Sequence, residues 1–102
     1  MVIYKEVDVM EPSDFLAAAR QLAAAAELLA KAGPQDRRFD AFEMLAFFRR
    51  YDQVGSGLEA VAVSNDELFA LTAQAALTMA GRNEFLASHA LLEQARSLLP
   101  AR

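Results

Sequence analysis

The stretch from Phe39 to Tyr51, FDAFEMLAFFRRY, constrains the fold most, because it carries too much apolar surface for one side of a helix. Five of the chain's nine aromatic residues fall within these thirteen positions. At about 100° per residue, Phe39, Phe42 and Ala46 form one apolar arc. Ala41, Met44, Leu45, Phe47, Phe48 and Tyr51 form a second and wider one. Two narrow polar seams, Glu43 with Arg50 and Arg38 with Arg49, lie between them. A helix resting on a single core needs one stripe roughly 100° wide. The second arc therefore implies a helix in the middle of the fold, or one that gives its other face to a second chain.

The flanking sequence predicts an all-α, four-helix domain of two antiparallel helical hairpins with an extended or β-strand N-terminal segment. One domain spans residues 1–102, with an arm or strand over 1–10 and helices over 12–32, 36–53, 65–80 and 84–99. Alanine, the best helix former, makes up about a fifth of the chain and lets helix axes approach closely. Pro12 suits a first helical turn, with Ser13 or Asp14 to cap it or complement its dipole. Gly33-Pro34 ends that helix. Phe15, Ala19, Leu22, Ala26 and Leu29 form its one stripe, and Glu27 and Lys31 an i,i+4 pair on the polar side. Asp36 opens the second helix, and Gly55-Ser56-Gly57 reads as a flexible connection.

Ser64 and Glu67 have capping-box spacing at the start of the third helix, which Gly81 stops. Leu68, Leu71, Ala75 and Met79 share one face of that helix, and Phe69, Ala73, Ala76, Leu77 and Ala80 fill most of the remainder. The fourth helix is one-sided. Phe85, Leu91, Leu92, Ala95, Leu98 and Leu99 face inward, and His89, Glu93, Gln94, Arg96 and Ser97 lie on its polar side. Helices two and three are thus expected at the centre, flanked by helices one and four. Residues 2–9 alternate as a strand would and need a partner, either Leu58–Val63 or the same segment of a second chain.

Several kinds of chemistry are poorly supported. Cysteine is absent, which removes disulfides, thiol catalysis and Cys-ligated metal, and fits a reducing, cytoplasmic setting. The N-terminus lacks the layout of a secretory signal, and no apolar run is long enough for a membrane span. The net charge of −4 argues against a general affinity for nucleic acid. The single histidine reads as a solvated side chain without a second ligand, so no metal, cofactor or catalytic group is assigned. Residues 68–100 bear a slight likeness to a tetratricopeptide hairpin through Gly81, Ala95 and Pro100. The run from Gly81 to Pro100 is about two residues too long for that repeat, and the first helix pair does not share it.

The functional expectation is a non-catalytic protein-binding domain, an adaptor, inhibitor or chaperone-like protein, acting as a homodimer. Its contact surface would comprise Arg38, Phe39, Phe42, Phe47, Arg49 and Tyr51, since aromatics bordered by arginine are typical of binding hot spots. One alternative is a small-molecule binder or enzyme with a pocket between helices two and three, its ligand held by Arg38, Arg49, Tyr51 or Gln74. Another is an acidic immunity- or decoy-type inhibitor that meets a basic partner through Asp8, Glu11, Asp14, Asp66 and Glu67.

Overall fold

A computed structural model describes residues 8–55 and 61–99. It has four helices, α1 (Pro12–Ala32), α2 (Gln35–Gly55), α3 (Asp66–Gly81) and α4 (Phe85–Ser97), and two short strands, β1 (Asp8–Met10) and β2 (Val61–Val63). The helices form two antiparallel hairpins, α1–α2 and α3–α4, as the hydrophobic periodicity predicts. The strands pair antiparallel, with Val9 opposite Ala62. Residues 8–10 thus find their partner inside the chain, at the end of the segment Leu58–Val63. The rest of the expected strand, residues 2–7, lies outside the described residues, as do residues 58–60.

α1 is the hub. It packs along α2, against α3 and, less extensively, against α4. Eight of its residues are buried, and five of those are alanines (Ala18, Ala19, Ala25, Ala26 and Ala30). Small side chains let neighbouring helices close onto α1 from two sides, while Phe15, Leu22 and Leu29 supply the volume between them. This reverses the expected arrangement of a one-sided α1 outside a central α2 and α3. The apolar stripe of α1 reads as ordinary on a wheel because alanine adds little hydrophobicity, although it adds much contact.

Aromatic rings join three of the helices. Phe15 stacks on Phe69 of α3 at 5.6 Å and meets Tyr51 of α2 edge-on at 5.6 Å. Tyr51 continues to Phe47 at 5.4 Å, and Phe47 to Phe48 at 5.2 Å. Such offset and edge contacts add to the burial energy of the rings.

α3, apolar over most of its circumference, buries one of its two faces. Its buried residues are Phe69, Thr72, Ala73, Ala76 and Ala80, whereas Leu71 is 56 % exposed and Leu68 is also exposed. The face with small side chains won, because it lets α3 sit close to both α1 and α4. Ser88 of α4, fully buried, donates its hydroxyl to the Ala76 carbonyl at 2.8 Å across this tight contact.

Three boundaries have local causes. α1 ends because Gly33, the residue before Pro34, is driven out of the helical region and is extended (ψ 178°); a Cβ there would lie 2.6 Å from the Leu29 carbonyl oxygen, which favours glycine. The cap of α3 is Asn65, whose side chain accepts from the Leu68 amide at 3.0 Å, in place of the expected Ser64. The left-handed position between α3 and α4 belongs to Asn83, at φ 63°, and not to Gly81; asparagine tolerates that conformation better than most residues.

Removing the ring that joins the helices should be costly. Phe15→Ala is expected to destabilise the protein by about 3–5 kcal/mol, measured by urea denaturation. Phe39→Ala, at a ring that faces solvent in the single chain, should stay within about 0.5 kcal/mol when measured at concentrations low enough to keep the protein monomeric.

Candidate functional site

α2 divides its two arcs as its sequence requires. Ala41, Met44, Leu45, Phe48 and Tyr51 are buried, whereas Phe39 is 74 % and Phe42 56 % exposed and Ala46 is exposed between them. The outer face thus presents two phenyl rings to solvent, on the side opposite the core. Phe39, Phe42, Ala46 and Arg49 follow 3-4-3 spacing, which is the spacing of a helix-pairing seam.

The six residues expected to form one contact surface separate into three pairs. Phe39 and Phe42 lie on the free outer face. Arg38 and Arg49 brace the α1–α2 hairpin. Arg38 Nε donates to the Gly33 carbonyl at 2.9 Å, which fastens the turn, and Arg49 approaches Glu27 of α1 at 3.5 Å. Glu27 also holds Lys31 at 2.8 Å. That hydrogen bond and the Lys31 charge keep the Glu27 carboxyl below its ordinary value, with a smaller lowering from Arg49. Phe47 and Tyr51 turn inward, and this corrects their assignment to the outer surface. Phe47 is half-buried beneath the Arg96 guanidinium, 4.9 Å from the ring centre. Tyr51 is buried, and its hydroxyl has no hydrogen-bond partner among the described residues.

His89 was expected on a solvated face and is instead buried. The wheel places it correctly beside Arg96 and Glu93, but that edge of α4 lies against α2. Its Nε2 meets Asp40 Oδ2 at 2.5 Å, and its Nδ1 lies 3.9 Å from Glu93 Oε1. The His89–Glu93 spacing of four was legible in the sequence. Asp40, forty-nine residues away, was not.

A third feature lies where the N-terminal halves of α1 and α3 meet. A groove of about 400 Å³ runs between them, and Asp14, Asp66, Glu67, Gln21 and Gln74 are among its walls. One expected ligand site was a pocket between α2 and α3. α1 intervenes between those helices, and of the proposed ligand-holding groups only Gln74 lines the groove. No described helix is long and apolar enough to cross a membrane.

Compared with known proteins, the chain matches no family model, and no curated protein and no solved structure matches it.

The orphaned hydroxyl of Tyr51 gives a clean test of its role. Tyr51→Phe should leave thermal stability unchanged or slightly raised, because it deletes a buried polar atom with no partner among the described residues and keeps the ring. A loss above about 1 kcal/mol in the same melt would show that the hydroxyl is bonded in solution.

Proposed function

We propose that this protein is a non-catalytic protein-binding domain that works through the outer face of α2, and that a second copy of the chain is the occupant of that face. The observation that carries the reading is the solvent-facing pair Phe39 and Phe42, set at pairing spacing on a helix whose other arc already fills the core. Burying each ring would contribute about 1.5–3 kcal/mol.

The side chains along the seam favour an antiparallel pair of α2 helices. In that arrangement Phe42 meets the small Ala46 of the partner copy, and Phe39 meets Arg49, a contact that gains from cation–π attraction. Asp36 stands opposite Arg50 on both flanks. Parallel pairing would set Arg49 against Arg49 and Ala46 against Ala46, combining repulsion with a gap. Glu43 falls near the twofold axis of the antiparallel pair and faces its own copy, the single like-charge contact.

A second reading draws on the acidic groove between α1 and α3. The expected acidic surface named residues far apart in sequence, and three of them, Asp14, Asp66 and Glu67, share this groove. Glu11 stands at the start of α1. A groove walled in this way suits a basic segment of another protein, as an immunity- or decoy-type inhibitor would require.

Sedimentation velocity across micromolar concentrations tests the first reading. Phe42→Asp should shift the protein to monomer with its circular dichroism intact, and Glu43→Gln should tighten association. A wild-type monomer throughout would end it. For the second reading, a basic partner recovered on immobilised protein should lose affinity steeply with salt. Asp66→Asn with Glu67→Gln should weaken its binding more than tenfold, while Phe42→Asp should not.

A further inference from the structure

The geometry points to a divalent transition-metal site at His89 and Glu93 on α4, oriented from behind by Asp40 of α2. The ligand atoms of the three residues all lie within 4.8 Å of one another. The two sides of the imidazole differ in kind. At 2.5 Å, the Nε2 contact with Asp40 is a hydrogen bond and too short to admit an ion. A carboxylate can only accept, so Nε2 carries the proton. In the neutral ring, Nδ1 is then left with a lone pair, and another carboxylate oxygen lies near it.

Nδ1 and Glu93 Oε1 are 3.9 Å apart. That separation is too long for a hydrogen bond. Two bonds of about 2.0–2.1 Å meeting at a tetrahedral ion place their donor atoms about 3.4 Å apart. Glu93, 61 % exposed on its side chain, can close the remaining half ångström or so by a small torsional shift. His89, 7 % exposed on its side chain, is held in place. The i,i+4 spacing on one helix puts both donors on one side, and the solvent beyond Glu93 supplies the other positions as water.

Asp40 holds the ring as an outer carboxylate holds a metal-bound histidine: it fixes which nitrogen is protonated and how the ring is oriented. Imidazole with carboxylate selects Zn²⁺, Co²⁺ or Ni²⁺ over Mg²⁺ and Ca²⁺. The chain has one histidine and no cysteine, so any imidazole-dependent binding must be at His89. This inference is independent of how the outer face of α2 is used.

The test is titration of the full chain with Co²⁺ and Zn²⁺, read by visible Co²⁺ absorption, calorimetry and ¹⁵N resonances of the imidazole. One equivalent should bind, with the metal-dependent shift on Nδ1 and not on Nε2, and Mg²⁺ should not compete. His89→Gln should abolish the signal. Glu93→Gln, at an exposed position that does not threaten the fold, should weaken binding more than tenfold. Asp40→Asn should weaken it about 10–100-fold. Binding that survives His89→Gln, a shift on Nε2, or no Co²⁺ binding by folded wild-type protein would each overturn the assignment. So would a ring protonated on both nitrogens that excludes the metal at neutral pH.

Discussion

The fold depends on Phe15 lying between Phe69 and Tyr51, with the alanines of α1 on either side of it. Neither half of the molecule has enough large side chains to make a core alone. α3 contributes mostly alanine to its buried face, and α2 spends two phenylalanines on solvent. One ring on the central helix therefore serves both hairpins. Close approach to α1 depends on Ala18, Ala19, Ala25, Ala26 and Ala30, which leave room for two neighbours where leucines would hold them apart. Dispersion and burial at short interaxial distance thus replace the larger hydrophobic volume that four-helix domains commonly enclose.

Much of this was legible in the residues. The helix number, the two hairpins and the division of α2 into an inner and an outer arc follow from periodicity and from punctuation at Gly33-Pro34 and Gly81–Asn83. The choice of hub did not. A wheel shows α3 apolar on two faces and does not say whether the Leu68/Leu71 face or the Phe69/Ala73 face goes inside. Packing instead rewards whichever face brings the backbones closest, so Ala73, Ala76 and Ala80 went in and the leucines stayed out. Ser88 belongs to the same contact, a polar residue tolerated at zero exposure because its hydroxyl finds a carbonyl on the facing helix.

The candidate sites show the same limit. Phe39 and Phe42 could be read as surplus apolar surface because that is a property of one helix. Arg38 and Arg49 share the same azimuth, yet their partners, the Gly33 carbonyl and Glu27, lie on the turn and on α1, where helical periodicity says nothing. His89 needed knowledge of a pairing between helices that scarcely touch. Among the described residues, α2 and α4 are joined by two side-chain rungs, Asp40 to His89 and Phe47 to Arg96. Both pairs are seven residues apart on each helix and in the same sense. The two helices consequently run in the same direction in matched register, two turns between rungs.

That register separates the two faces of α2 that carry proposals. Asp40 projects about 100° from Phe39 and about 160° from Phe42 around the helix axis, so the edge toward His89 points away from the solvent-facing rings. A change at Phe42 leaves the imidazole and its carboxylates in place, and a change at Glu93 on α4 leaves the phenyl rings exposed as before. The polar seams on α2 make this possible. Arg38 and Arg49 border the outer arc on the side of α1, and Asp40 and Phe47 border the inner arc on the side of α4. A single helix can therefore complete a core, brace one neighbour, meet another through side chains alone and still present an unspent apolar face.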